Sequence, residues 1–188
     1  MTREISQLKL QPSKIHTQVC YSMYNSPPRF CPGCGQPLAP KYVAVEERER
    51  LVCTVCEEIH YINPKVVAGV VPTRQGRVWL LRRAIQPRLG AWTFPAGFME
   101  MGETVEDAAR RETFEELHME VEIRRLLNIY SRPESPTVLI VYLAEALTEP
   151  SGGSEALEFA SFDPDTIPWN RLAFWNTEAA LRDWVQTL

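Results

Sequence analysis

Residues 97–120 read GFMEMGETVEDAARRETFEELHME, a glycine-containing loop followed by an alanine-rich segment that ends in carboxylates. Thr104 and Asp107 have the spacing of a capping box, so a helix is predicted to begin directly after Thr104. Alanine and the unbranched side chains that follow favour helix. The stretch therefore predicts a loop that runs into a helix reaching Leu117.

The carboxylates of the predicted helix lie on the face that is apolar in the first turns of the helix. At about 100° per residue, Glu112, Glu115 and Glu116 share a face with Val105 and residues 108–109. Carboxylates held partly away from water are costly unless a cation neutralises them, and hard divalent ions such as Mg²⁺ and Mn²⁺ prefer oxygen ligands. The charges taken alone also fit a solvated acidic helix face.

The spacing across the whole stretch is more specific than the charges. From Gly97, five residues precede Glu103, seven separate Glu103 from Arg111-Glu112, and two more precede Glu115-Glu116. This pattern resembles the signature of the Nudix hydrolases. The resemblance favours the metal site over the solvated face.

Two positions depart from that signature. Thr113 stands where the family usually has an aliphatic residue, and His118 stands where it usually has glycine. Neither change removes a carboxylate. Because the residue after a helix commonly needs a positive φ, His118 is expected to alter the helix exit.

The resemblance implies hydrolysis of a diphosphate that links a nucleoside to another group. Divalent metals neutralise phosphate oxygens and activate water in such reactions. Carried over by position, the Mg²⁺ or Mn²⁺ ligands would be the carbonyl of Gly97 and the carboxylates of Glu112, Glu115 and Glu116.

Arg111 and Glu103 complete the implied site. Arg111 would orient the carboxylates by charge-assisted hydrogen bonds, with Glu103 as a partner, although an ordinary helix salt bridge explains it equally well. By the same resemblance, the general base would be either a helix carboxylate or a glutamate of a later loop, for which Glu155 and Glu158 are candidates.

A second motif lies upstream, where Cys31-Pro-Gly-Cys34 and Cys53-Thr-Val-Cys56 are separated by eighteen residues. Two such knuckles offer four thiolates to one ion, which predicts a structural Zn²⁺ ribbon. A redox dithiol needs only one pair, and disulfides need an oxidising compartment. The spacing does not distinguish zinc from iron.

Substrate contacts are predicted from residue type alone. Three arginines near the glycine loop are candidates for phosphate binding, and flat aromatic rings suit flat bases. Each also has an ordinary explanation as a strand-edge charge or a core side chain. The candidates are Arg82, Arg83, Arg88, Trp92, Phe94 and Phe98, with Trp169, Phe174 and Trp175 as further aromatic residues.

Three segments are predicted: a loose arm over 1–27, a zinc ribbon over 28–63 and a Nudix domain over 64–188. Ribbon residues 41–45 and 50–53 look like a hairpin. The domain is expected to be a mixed α/β sandwich, with strands over 66–71, 77–81, 119–130 and 137–146 and a last helix over 177–187 capped by Asn176.

Composition limits the class of protein. A chain of 188 residues that is 45% hydrophobic can bury one core beside a metal-stapled module. It has neither an apolar run long enough for a membrane helix nor a secretory signal pattern, so the cytoplasm is expected. A net charge of −4 makes nucleic acid an unlikely partner.

The ribbon and domain together resemble plant-type enzymes that cleave FAD and ADP-ribose and, less closely, NADH pyrophosphatases. The aromatic array of the NADH enzymes is replaced here by Ser131-Arg-Pro-Glu-Ser-Pro136. Cleavage of FAD, ADP-ribose or another ADP-linked dinucleotide to AMP is therefore expected, by a homodimer as in those relatives. Hydrolysis of NADH or of an NAD-capped RNA is the alternative. A third hypothesis is a regulator that binds a nucleotide without cleaving it and uses the zinc ribbon to contact a partner.

Overall fold

The structure is a computed structural model that describes residues 27–153 and 155–188, which form two compact units that divide between Ile62 and Asn63. Each unit has a sheet of its own. The predicted arm over 1–27 lies outside the described residues, apart from Pro27.

The smaller unit is built on a three-stranded antiparallel sheet. Its strands are β1 (Leu38–Val43), β2 (Arg48–Cys53) and β3 (Ile59–His60), in the order β1-β2-β3. β1 and β2 pair with Leu38 opposite Cys53, which confirms the predicted hairpin. β3 is too short to show a period in the sequence, and it was not predicted.

The larger unit holds a mixed sheet and two helices. The elements are β4 (Lys65–Arg74), β5 (Arg77–Arg83), β6 (Trp92–Thr93), β7 (Ala96–Phe98), α1 (Val105–Leu117), β8 (Val121–Tyr130), β9 (Thr137–Ala146), β10 (Ala156–Phe162) and α2 (Trp175–Val185). The order is β10-β5-β4-β9-β8, with β6 paired to β5 and β7 to β4. Of the strand pairs in the described part of this sheet, β4 and β9 are parallel and the rest are antiparallel.

The central strand β4 changes partner along one edge. It pairs with β5 at Thr73 and Arg74, near the hairpin turn, and with β7 at residues 67–69. A Cβ on Gly69 would lie 2.9 Å from the Cβ of Ala96, so glycine is needed where β7 approaches. This approach carries Gly97 in front of α1.

The sheet is covered on both faces, which confirms the predicted sandwich. The α1 side buries mostly small and aliphatic side chains: Ala68, Val70, Leu81, Ala108, Ala109, Leu117 and Met119. The α2 side is richer in aromatic residues and buries Val71, Leu80, Trp92, Phe94, Val141, Leu181 and Trp184. A strand buried on both faces reads as a continuous apolar run, as β4 does.

The caps of α1 follow from its sequence. Thr104 is the N-cap, and its hydroxyl accepts a hydrogen bond from the backbone N–H of Asp107. His118 is the C-cap and takes φ 49°, the left-handed geometry that usually selects glycine. The buried Thr113 satisfies its hydroxyl by donating to the carbonyl of Ala109 at 2.7 Å, so a polar residue is tolerated there.

Several predicted boundaries were wrong. α2 begins at Trp175 after the N-cap Phe174, so Asn176 lies inside the helix and does not cap it. β6, β7 and β10 were not predicted as strands. These strands form by pairing with β4 and β5. β6 and β7 could not be predicted because they are too short to show a period of their own.

Among the described residues, no helix combines the length and the apolar character that crossing a bilayer requires.

Candidate active site and metal centre

Glu116 is the buried carboxylate of the site. Its side chain points from α1 towards β7, where the backbone N–H of Ala96 donates to its Oε2 at 3.1 Å. Glu116 is 5% exposed. Burial raises its pKa to about 8, with Glu112 and Glu155 adding to the rise, while the Ala96 N–H and Arg83 oppose it. The fold therefore buries the carboxylate of Glu116 where the surrounding positive charge and hydrogen-bond donors are too few to stabilise its ionised form.

Glu112 lies directly against Gly97. A Cβ on Gly97 would be 2.1 Å from Cδ of Glu112, so the carboxylate occupies the space that any other residue would fill. Burial raises the pKa of Glu112, and the charges of Glu115 and Glu155 raise it further, against the opposing effect of Arg111. Two hard oxygen donors in this position fit a divalent cation such as Mg²⁺ or Mn²⁺.

Arg111 ties the loop to the helix. Its Nε and Nη2 donate to the two carboxylate oxygens of Glu103 at 3.0 and 2.8 Å, and Nη1 donates to Glu112 at 2.7 Å. Nη2 also donates to the carbonyl of Phe98 at 3.1 Å. Hydrogen bonds from Arg111 hold the pKa of Glu103 down at about 2. This network fixes residues 98–103 against the carboxylate face, which is more than an isolated helix salt bridge does.

Glu115 differs from its expected position. Its side chain is 58% exposed and lies 3.5 Å from Nη1 of Arg111, at the edge of the face that Glu112 and Glu116 share. Within the described chain, three or more Cys, His, Asp or Glu ligand atoms come within 4.8 Å of one another only in the ribbon. The three helix glutamates therefore do not form a compact triad here, because Glu112 turns to Arg111 and Glu115 to solvent.

The two candidate bases occupy different environments. Glu155 is half-buried, and its charge raises the pKa of both Glu112 and Glu116. Glu158 lies on β10 and not in a loop as expected, and it pairs with Arg82 at 2.9 Å. The structure thus brings Glu155 to the carboxylates and directs Glu158 to a surface ion pair.

Gly153 explains the approach of Glu155, and sequence reasoning missed it. A Cβ on Gly153 would overlap the carbonyl oxygen of Glu116 at 1.8 Å. The backbone N–H of Ser151 donates to the carbonyl of Leu117 at 3.1 Å. The Gly152-Gly153 pair was the available signal, since glycine pairs mark close backbone approach.

The three arginines that were predicted to bind phosphate lie in different environments. Arg83 stands at the end of β5, donates through Nε to the carbonyl of Pro87 at 2.9 Å and acts on Glu116 by its charge. Arg82 is committed to Glu158. Arg88 is exposed in the turn that follows. Of the three, Arg83 is the arginine whose charge acts on Glu116.

The predicted stacking residues include two errors. Trp92 is 5% exposed and meets Phe162 edge to face, and Phe94 is 1% exposed. Both rings are core, because β6 and the residues after it run beneath α2, so neither offers a face to a base. Phe98 remains 43% exposed, with the ammonium of Lys65 5.2 Å from its ring centroid.

The ribbon brings its four cysteines together. Sγ of Cys34 lies 3.4 Å from that of Cys53 and 3.5 Å from that of Cys56, and Sγ of Cys31 lies 3.7 Å from that of Cys56. A tetrahedral Zn²⁺ with bonds of about 2.3 Å needs sulfur atoms about 3.8 Å apart, so the set fits a closed structural site. Backbone N–H groups of Val55 and Cys56 lower the pKa of Cys53 to about 6, which favours the ligating thiolate.

Replacing Cys53 by serine is expected to empty this centre. Serine keeps the size but is a weak zinc ligand, so bound zinc should fall from about one equivalent to below about a tenth. Elemental analysis of purified protein measures this and identifies the metal. The control is Thr54→Ser, which introduces serine at the next position, where the side chain is exposed and Cys53 is left in place. Retention of a full equivalent by the Cys53 variant would contradict the assignment.

Comparison with known proteins agrees with both sites. A model of the Nudix domain matches residues 63–185, and a model of the Nudix N-terminal zinc ribbon matches residues 29–62. An ADP-ribose pyrophosphatase of Methanocaldococcus jannaschii is 30% identical over 131 residues, which are 67% of this chain and 76% of that protein.

Other relatives carry a different name. The NAD-capped RNA hydrolase NudC of Chromobacterium violaceum is 34% identical over 74% of this chain and 52% of its own length. The NudC of Edwardsiella ictaluri is 34% identical over 62% of this chain and 44% of its own length. The chain thus spans about half the length of these NudC relatives.

Among solved structures, a Nudix hydrolase from Nitrosomonas europaea matches with a TM-score of 0.81 and 39% identity, over 85% of this chain and 91% of that one. The MutT Nudix hydrolase from Burkholderia pseudomallei matches with a TM-score of 0.58 and 30% identity, over 64% and 98%. With the glycine loop and carboxylate helix in place between the strands of the sandwich, these matches establish that the chain is an enzyme of the Nudix hydrolase family that carries an N-terminal zinc ribbon.

Proposed function

We propose that the protein hydrolyses the diphosphate bond of an ADP-linked dinucleotide or nucleotide sugar, with ADP-ribose or FAD as substrate and AMP as a product. The observation that carries the proposal is the buried Glu116 beside Glu112, both with raised pKa values in front of Gly97. Such a pair is costly without a cation, and a divalent cation held there would neutralise charge on the diphosphate of a bound substrate.

The metal would be Mg²⁺ or Mn²⁺, held by Glu112 and Glu116, with Glu115 reaching in from the solvent edge and the carbonyl of Gly97 as a further ligand. When bound, it would neutralise charge on the phosphate oxygens and make a water more acidic. Arg111 keeps the glycine loop and Glu112 in place while the substrate enters. Arg83 would meet a phosphate oxygen, since its charge lies beside the carboxylates.

We infer that Glu155 takes the proton from the attacking water. Its approach to Glu112 and Glu116 supports this role, and the packing of Gly153 on the end of α1 holds it there. The ion pair of Glu158 with Arg82 speaks against the second candidate.

Two matched variants test the base. Glu155→Gln is expected to lower kcat by about a hundredfold or more, which is the usual contribution of a general base, whereas Glu158→Gln should stay within about twofold of the parent. Steady-state kinetics with ADP-ribose across pH 6 to 9 measures both. If Glu155→Gln keeps full turnover, a helix carboxylate is the base instead.

ADP-ribose and FAD are proposed as substrates on the basis of two resemblances. The M. jannaschii relative is named for ADP-ribose, and the ribbon and loop motifs resemble the plant-type enzymes that also cleave FAD. NADH and NAD-capped RNA form the second candidate class, because the NudC relatives are named for the latter. The exposed ring of Phe98 beside the glycine loop is available to stack on the base of either class.

The experiment is AMP release from ADP-ribose, FAD, NADH, NAD⁺ and an NAD-capped RNA, with and without Mg²⁺ or Mn²⁺, read by chromatography. Metal-dependent AMP from ADP-ribose or FAD at a higher kcat/KM than from the nicotinamide substrates supports the proposal. A clear preference for the capped RNA would move the assignment to the second class. Binding without product in any metal would favour the nucleotide sensor.

We further propose that the enzyme is a homodimer, as in the zinc-ribbon enzymes that it resembles. Sedimentation at micromolar concentration tests this, and a single species of about 21.5 kDa would contradict it.

A further inference from the structure

Two arginines stack on aromatic rings at the start of α2. The guanidinium carbon of Arg132 lies 3.8 Å from the ring centroid of Trp175, and that of Arg83 lies 5.2 Å from the ring centroid of Phe174. Phe174 and Trp175 are consecutive residues, so both pairs lie at the N-terminal end of α2. We call them the stacked-arginine cluster.

The cluster borders the carboxylates through Arg83. Arg83 pairs across the sheet with Ala156, the residue after Glu155, and its charge opposes the rise in the pKa of Glu116. Its stacking partner Phe174 immediately precedes Trp175, on which Arg132 lies. The same end of α2 therefore contacts Arg83, whose charge acts on Glu116, and Arg132.

A series of contacts links the glycine segment to the loop that carries Arg132. The carbonyl of Phe98 accepts a hydrogen bond from Arg111, and the ring of Phe98 lies beneath the ammonium of Lys65. The backbone N–H of Lys65 in turn donates at 2.9 Å to the carbonyl of Pro136, in the loop that carries Arg132. The loop over 131–136 therefore lies beside the start of β4, which pairs with the strand that carries Gly97 and Phe98.

Arg132 brings a permanent positive charge to that border. Its side chain is exposed, while Trp175 beneath it is half-buried. The cation-π contact keeps the guanidinium over one face of the indole, and arginine does not lose its proton in proteins. A ligand that reaches this ring face therefore meets a cation and not a bare aromatic surface.

We propose that Arg132 is a specificity-determining residue that contacts the half of the substrate beyond the diphosphate and discriminates against a positively charged ring there. This inference rests on the proposed function. A ribose, a flavin or a reduced nicotinamide is uncharged and meets no repulsion, whereas the oxidised nicotinamide ring carries a unit positive charge. The enzyme then prefers ADP-ribose and NADH to NAD⁺, and it disfavours RNA capped with NAD.

NADH and NAD⁺ differ in ring charge by one unit, which makes them a matched pair of probes. The kcat/KM for NADH divided by that for NAD⁺ is measured in the parent protein and in Arg132→Gln, Arg132→Lys and Arg125→Gln. Arg125 is an exposed arginine in the middle of β8, so its variant controls for net charge. The ratio is expected to fall by about fivefold to tenfold in Arg132→Gln, as for unit charges about 3–4 Å apart that are screened as in water. It should be unchanged in Arg132→Lys and Arg125→Gln.

The outcomes separate this inference from the proposed function. If ADP-ribose is cleaved but the ratio is the same in Arg132→Gln and the parent, the inference is wrong and the function stands. If no substrate is cleaved, the proposed function is wrong. Calorimetry on the same four proteins then tests the inference through the ratio of the dissociation constants for NADH and NAD⁺. A ratio that does not respond to Arg132→Gln, or no binding of either dinucleotide, overturns it.

Discussion

Glu116→Gln is expected to lower turnover by about two orders of magnitude or more while leaving the fold and the zinc content intact. The amide is nearly isosteric, and its oxygen can still accept the hydrogen bond from the Ala96 N–H. What it removes is the buried negative charge that would hold a divalent cation against the diphosphate. Steady-state kinetics over a titration of Mg²⁺ and Mn²⁺ measures the loss.

The same variant should be at least as stable as the parent when no divalent cation is added. The pKa of Glu116 is raised to about 8, so the protonated form is preferred in the folded state. As pH rises from about 4 to about 8, the unfolded chain ionises Glu116 while the folded protein keeps it protonated. The cost of this carboxyl to the stability of the fold is therefore absent below about pH 4 and grows as pH rises through about 8. Glutamine removes this cost. Thermal melts at pH 5 and pH 8.5 should show the stability gain of the variant mainly at the higher pH.

Glu122→Gln is the matched control, because Glu122 is an exposed carboxylate on β8 that pairs with Arg124 at 2.6 Å. It should change neither turnover nor the pH dependence of stability. Unchanged turnover in Glu116→Gln would remove Glu116 from the site. A loss of zinc or of the folded signal would show that Glu116 is structural.

Gly97→Ala is expected to reduce turnover by about a hundredfold or more through a single methyl group. The new Cβ would lie 2.1 Å from Cδ and 2.2 and 2.4 Å from the carboxylate oxygens of Glu112, far inside van der Waals contact. The backbone of β7 cannot retreat, because Ala68 of β4 pairs with Gly97. Glu112 must therefore rotate out, and the apparent affinity for Mg²⁺ or Mn²⁺ should fall with turnover.

Gly76→Ala separates this effect from a general loss of stability. Gly76 lies in the turn between β4 and β5 at φ +76°, and a Cβ there would have no atom of the described residues within 4 Å beyond its two chain neighbours. Alanine is strained at this φ by about 1–2 kcal/mol but touches nothing in the site. We expect a lower melting temperature with normal turnover. Turnover of Gly97→Ala within about twofold of the parent would contradict the packing of Glu112 on Gly97.

Local interactions account for most of what could be predicted. The start and end of α1, the spacing of its glutamates and the four cysteines of the ribbon depend on residues near one another in the chain. Capping, helical periodicity and metal-knuckle geometry are all short-range, so each leaves a readable pattern. Strands β4 and β9 were predicted because burial on both faces leaves long apolar runs.

Long-range pairing accounts for most of the errors. β7 is three residues long and is a strand only because it pairs with β4. Trp92 and Phe94 looked like ring-stacking residues, and only the packing of α2 over the sheet shows that they are core. Glu155 and Glu158 were equivalent in the sequence, and the pairing of β10 with β5 sends Glu158 to Arg82.

The sequence alone determined the chemical groups of this protein: the carboxylate helix, the glycine loop, the four ribbon cysteines and the family to which they belong. Residue type and local spacing carry that information, because ligands and caps act over one or two turns of chain. The tertiary structure decided which carboxylate is buried, which glutamate approaches it and which arginine acts on it by its charge. Burial and electrostatic coupling depend on what packs against a side chain from distant segments, and no local pattern records that.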